Sequence, residues 1–170
     1  MRFGIALGSN LGDRLQHLRE ALRRLEEAAP RARVTACAPT FRTAPVDCPE
    51  GSEEFLNSAL EWEEDIAPLA LLDRLLHIEA LMGRDRSLGW HAPRPIDLDL
   101  LYADDLAVDH PRLILPHPRI AQRRFVLEPL SYIAPEKILA GQTRSVTELL
   151  AALDSSEPPL EIVVRDWRSV

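Results

Sequence analysis

Lysine is nearly missing from this chain: of 20 basic side chains only Lys137 is a lysine, and nineteen are arginines. No GxxxxGK[ST] occurs, so a P-loop is excluded; GxGxxG after a strand, HExxH and Cys/His zinc spacings are absent too. The two cysteines, Cys37 and Cys48, form no CxxC and nothing suggests secretion, so both read as reduced packing thiols. No apolar run approaches the ~20 residues of a membrane helix, and the start MRFGIALGSN lacks a long apolar segment with a cleavage site. A cytoplasmic protein with no membrane role is expected. Positive charge is in deficit, with a net charge of −7, which disfavours nucleic acid and anionic lipid, since both call for a basic stripe. Small-molecule partners fit better.

What is present suffices for one core. A chain of 170 residues with 46% hydrophobic side chains suits one domain spanning 1–170. Residues 3–7 read as a buried strand running into the turn-like GSNLGD. Leu15, Leu18, Leu22 and Leu25 then repeat at helical spacing, and Pro30 closes the helix. A strand is predicted over 34–43, a loop over 44–54, a second strand over 55–62 and a helix from Pro68 to about Gly83. Residues 84–95 are Arg-rich and too irregular for an element. A strand over 96–102, a turn at 103–105 and a short strand over 106–108 follow. The remainder holds a proline-bounded loop (Pro111, Pro116, Pro118), short helices near 124–131 and 145–153, and a closing strand over 160–164. This alternation predicts an α+β sandwich with an antiparallel or mixed sheet covered by helices; strand order is not readable.

The chemistry concentrates around IDLDL. On a strand Ile96, Leu98 and Leu100 point one way, while Asp97 and Asp99 project together the other way, about 7 Å apart. Paired hard oxygens on a rigid face suit magnesium, although Asp-x-Asp on a wet strand face is more often mere solvation. Arg84, Arg86 and Arg94 lie upstream and Arg112, Arg119, Arg123 and Arg124 downstream, the setting of a polyphosphate site. Glu79 falls in the apolar arc of its helix with Leu71, Leu72, Leu75, Leu76 and Met82, so its carboxylate needs a partner. Either a structural ion pair with arginine or a ligand's hydroxyls and amines would serve. His117 could contact phosphate or cap a loop. Phe55 and Phe125, two of only four phenylalanines, are either core or a stacking pair, and Asn57 shares the face of Phe55.

Across most of its length the chain resembles the 6-hydroxymethyl-7,8-dihydropterin pyrophosphokinases of folate biosynthesis. The resemblance rests on GSNLGD at 8–13, FRTAP at 41–45, FLN at 55–57, IEALMGR at 78–84, APRPIDLDLL at 92–101, LPHPR at 115–119 and RRFVLEPL at 123–130, in order. It implies a ferredoxin-like sandwich, mostly antiparallel, and transfer of pyrophosphate from ATP to the pterin's hydroxymethyl oxygen with release of AMP. It further implies two Mg2+ held by Asp97 and Asp99. Arg84, Arg94, Arg112, His117 and Arg123 are implied as the triphosphate clamp, Glu79 and the backbone near Leu100 as nucleoside contacts, and Arg86 with Arg94 as parts of a closing loop. By the same resemblance the pterin stacks between Phe55 and Phe125, its polar edge read by Asn57 and the backbone at Thr43, Ala44 and Val46, with Gly8 lining the pocket. The stretch Trp90-His91-Ala92-Pro93 departs from the usual pattern, since His91 replaces an aromatic. Pro118 follows His117 where an aromatic often stands, and Ala44 replaces a frequent proline. A monomer acting on small molecules is expected.

Overall fold

A computed structural model describes residues 1–45, 50–89, 92–154 and 157–169. Strand β1 (Arg2–Ser9) leads through the Asp13 cap, whose side chain accepts from the Gln16 N–H at 3.1 Å, into helix α1 (Arg14–Ala28). Strands β2 (Arg33–Cys37) and β3 (Thr40–Thr43) occupy the stretch where one strand is predicted. The break lies at Ala38-Pro39, because Pro39 has no N–H for a ladder bond, and the Ala38 carbonyl instead accepts from Ser58 Oγ and Trp167 Nε1. Then come β4 (Phe55–Glu63), α2 (Pro68–Leu81, with proline in its first turn) and β5 (Asp97–Ala103).

The main sheet runs β5-β1-β4-β3 and then β8 (Glu161–Val164), with β2 also pairing with β4. Every pairing is antiparallel. With α1 and α2 on one face, this is the expected α+β ferredoxin-like sandwich. Three local expectations are corrected. The strand expected over 106–108 begins only at Val108, because Leu106 N–H turns back to the Ala103 carbonyl at 3.0 Å. The hairpin of β6 (Val108–His110) and β7 (Leu113–Leu115) fills part of the proline-bounded loop. A short 3-10 turn, Arg86–Leu88, interrupts the irregular stretch, capped by Asp85, whose side chain accepts from the Ser87 N–H at 2.9 Å. Helix α3 (Arg124–Ile133) passes through buried Pro129, and α4 (Val146–Ala151) starts on a Ser145–Glu148 capping box.

Alternation along each strand divides the core. Phe3, Ile5 and Leu7, Leu56, Leu60 and Trp62, and Leu98 and Leu100 face α1 and α2, against Leu18, Leu22, Leu71 and Leu75. Each such leucine contributes roughly 2 kcal/mol of apolar burial. On the opposite face Leu101 and Tyr102 meet Val126, Leu127 and Leu130 of α3 and Val146 and Leu149 of α4. The Tyr102 ring lies flat where a side chain on Gly4 would stand, 2.3 Å from an added Cβ. Helices α3 and α4 thus cover one end of that face, and the functional cleft occupies the other.

Candidate active site

The floor of the cleft is set by strand register. Asp97 lies opposite Gly8, which lies opposite Asn57; Asp99 lies opposite Ala6, which lies opposite Ala59. The centre of the floor is therefore built from residues with little or no side chain, and carboxylates and an amide stand on either side. A Cβ on Gly8 would come within 2.5 Å of Asn57 Oδ1 and 3.7 Å of the Phe55 ring. Asn57 is oriented by donating Nδ2–H to Thr43 Oγ1 at 2.7 Å. The space enclosed is about 730 Å³, suited to small molecules, with Phe55 and Phe125 both on its wall.

Two rims supply positive charge. From the 84–94 segment come Arg84, Arg86 and Arg94, and from the approach to α3 come Arg119, Arg123 and Arg124, with His117 beside them. The Arg94 backbone is tied reciprocally to Asn10: Arg94 N–H donates to Asn10 Oδ1 at 2.8 Å, and Asn10 N–H donates to the Arg94 carbonyl at 3.3 Å. The Arg94 guanidinium lies 5.6 Å from the centre of the Phe55 ring, and that of Arg123 lies 5.5 Å from the centre of Phe125. His117 is anchored by its backbone N–H, which donates to the Leu101 carbonyl at 2.8 Å, and its Nδ1 accepts from the Arg119 N–H at 3.2 Å. Burial, followed by Arg123 and Arg119, lowers its pKa below the usual histidine range. Burial also lowers the pKa of Arg123, with Arg119 adding to the effect.

The carboxylates carry the opposite strain. Burial, then Asp97 and Glu79, push the Asp99 carboxyl up to about 7 against the pull of Arg123 and Arg84. Arg84 Nη1 donates to Asp97 Oδ1 and, at 2.8 Å, to Glu79 Oε1. Burial works against the charge on Arg84, but Asp97 and Glu79 outweigh it and hold its pKa above the usual arginine value. Glu79 also accepts from Arg86 Nη2 at 2.6 Å and from the Leu98 N–H at 2.8 Å. Among the described residues no cluster of three or more acidic, histidine or cysteine side chains is placed to hold a metal. Asp97 and Asp99 offer two carboxylates on the cleft wall, as many as magnesium ordinarily takes from a protein beside water and phosphate oxygens.

The family model of 7,8-dihydro-6-hydroxymethylpterin-pyrophosphokinase (HPPK) matches residues 4–135. The chain belongs to this family. It is 41% identical over 152 residues to the 2-amino-4-hydroxy-6-hydroxymethyldihydropteridine pyrophosphokinase of Methylorubrum extorquens, covering 89% of this chain and 93% of that one. It is 39% identical over 151 residues to the protein of the same name in Pseudomonas aeruginosa, covering 89% and 91%. Among solved structures, the Plasmodium falciparum HPPK-DHPS chain superposes with a TM-score of 0.70 at 16% identity, covering 88% of this chain. This chain spans only 42% of that longer one, and the likeness bears on the fold.

The cleft gathers most of the residues that the family resemblance implies. Gly8, Thr43, Ala44, Phe55, Asn57, Arg84, Arg86, Arg94, Asp97, Asp99, His117, Arg123 and Phe125 all line it. Three others lie outside its lining. Glu79 is buried behind the wall, its carboxylate engaged by two arginines and a backbone N–H, the ion-pair alternative left open by the sequence. The Leu100 side chain packs in the α1/α2 core, while its backbone lies on the edge strand β5. Arg112 sits between β6 and β7, paired with Asp73 of α2. Val46, Trp90 and His91 lie outside the described residues. The cleft also includes Arg119 and Arg124, read from the sequence only as members of a phosphate-binding cluster, and Gln122 and Glu157, to which the sequence reading gave no role. The two arginines fall within the downstream basic cluster, but Glu157 comes from a distant segment with no local signal. Asn10, which holds the Arg94 backbone, was visible only as part of GSNLGD.

Proposed function

We propose that this chain is an ATP-dependent enzyme of folate biosynthesis that transfers pyrophosphate from ATP to the hydroxymethyl group of 6-hydroxymethyl-7,8-dihydropterin and releases AMP. The observation that carries this reading is the juxtaposition, in one cleft, of the Asp97/Asp99 pair, arginines from two rims, and the Phe55–Asn57–Phe125 pocket. The pterin ring stacks against Phe55 and Phe125, and Asn57, oriented by Thr43, reads its amide edge. Gly8 leaves room for it against the sheet. Arg84, Arg86, Arg94, His117 and Arg123 bind and orient the triphosphate. Asp97 and Asp99 are the residues that would hold two Mg2+, and the chemistry these ions would supply is neutralisation of negative charge on the phosphate oxygens.

The hydroxymethyl oxygen bonds to the β-phosphorus, the bond from that phosphorus to the α,β-bridging oxygen breaks, and AMP leaves with the electron pair. The hydroxyl proton passes to solvent. The chain's own part is to position the reactants and stabilise developing negative charge, because phosphoryl-type transfer asks for little covalent chemistry from the protein. No helix among the described residues is long and apolar enough to cross a membrane. We read residues 1–170 as one domain working as a cytoplasmic monomer. Incubating the protein with magnesium, ATP and the hydroxymethyl dihydropterin should yield AMP stoichiometrically with the pterin diphosphate; ADP as the nucleotide product would reject the proposal.

A further inference from the structure

Glu79 is an acid in an apolar place: 1% exposed, on the inward face of α2 beside Leu75 and Ile78. Such a charge persists only when its acceptor sites are filled, and the two oxygens of Glu79 are filled unequally. Oε1 accepts from Arg84 Nη1 at 2.8 Å and from the Leu98 backbone N–H at 2.8 Å. Oε2 accepts from Arg86 Nη2 at 2.6 Å. The partners differ as well. The Arg84 side chain is 12% exposed and also engaged by Asp97, whereas the Arg86 side chain is 59% exposed. If Arg86 left, Glu79 would keep an arginine and a backbone donor on Oε1, so its charge would not be stranded.

We propose that Glu79 is a positioning residue with divided duty: Oε1 fixes Arg84 against Asp97, while Oε2 holds Arg86 until a phosphate in the cleft takes it. The inference rests on the reading of this cleft as the ATP site, and it differs from a direct contact between Glu79 and the nucleoside. The phosphate competes with a carboxylate for Arg86, so part of the attraction between Arg86 and ATP is offset by the lost pair. Arg84 needs no such release, since Oε1 and Asp97 already hold it at the cleft wall.

The test is a double-mutant cycle on binding of magnesium and a non-hydrolysable ATP analogue by the full chain, measured by calorimetry. Glu79→Gln keeps an oxygen for Leu98 and Arg84 but gives Arg86 no anionic partner. Its Kd should fall about two- to fivefold, the worth of an ion pair with one exposed member. In the Arg86→Ala background the same change should leave Kd unaltered. An unchanged Kd for Glu79→Gln alone, or equal weakening in both backgrounds, would overturn the proposal, the second result indicating a purely structural role. Arg86→Ala alone checks the underlying reading: it should weaken binding, and analogue affinity indifferent to it would remove Arg86 from the ATP site and the proposal with it. Should Glu79→Gln fail to fold, nitrogen-15 spectra of the wild-type guanidinium groups, assigned with Arg86→Lys, decide the matter. A slowly exchanging Arg86 signal in the ligand-free protein that shifts on adding magnesium and analogue supports the handover. A freely rotating Arg86 before ligand is added contradicts it.

Discussion

Asp99→Asn should abolish turnover and, in the absence of metal, make the protein more stable at alkaline pH. The carboxyl of Asp99 is raised from 3.8 to about 7 by burial and by Asp97 beside it. At about 1.4 kcal/mol per unit, a rise of that size corresponds to a ceiling of about 4 kcal/mol. Asp99 borders the cleft, and water reaching it screens the charge, which brings the expected effect to roughly 2 kcal/mol. The sign follows from the direction of the shift. The folded chain holds this proton more tightly than the unfolded chain, so the contribution is fully present below pH ~4 and is lost as pH rises to ~7. Urea unfolding in EDTA should show variant and wild type nearly equal near pH ~4, with the variant ahead by roughly 2 kcal/mol at pH ~8.5. Adding magnesium should narrow the gap by stabilising the wild type alone. A gap independent of pH would refute the argument that Asp99 is held protonated by its surroundings when no metal balances it.

Asp97→Ala should remove detectable AMP formation while circular dichroism stays native, because Asp97 faces the cleft and not the α1/α2 core; near-normal turnover would take it out of the metal site. Phe125→Ala should raise KM for the pterin about tenfold or more, the loss of one stacked ring, with a much smaller effect on KM for ATP. Gly8→Ala places a Cβ 2.5 Å from Asn57 Oδ1. Displacing that amide should cost pterin affinity before it costs stability, which pterin titration alongside a melting curve would show.

Residues whose meaning depends on local periodicity were legible before the fold was known. The alternation of IDLDL put Asp97 and Asp99 on one face, and the helical wheel placed Glu79 inward; both placements hold. What periodicity could not reach was set by partners distant in sequence. Pro39 splits a strand because the Ala38 carbonyl is claimed by Ser58 and by Trp167, far along the chain. Gly4 reads as one more small strand residue until Tyr102 is seen lying on it. The exit of Arg112 toward Asp73 depends on a hairpin packing near α2, and the arrival of Glu157 in the cleft depends on the return of the C-terminal segment to the sheet. The order β5-β1-β4-β3-β8 brings Asp97, Gly8 and Asn57 into one row, and no sequence window contains all three.

The central claim is that a two-phosphate unit moves as one piece to the pterin. Parallel reactions with ATP carrying radioactive phosphorus at the β or at the γ position, each supplied with magnesium and the hydroxymethyl dihydropterin, test it directly. Both labels should appear in the pterin product in equal amounts, with unlabelled AMP left behind. Transfer of the γ label alone would contradict the account.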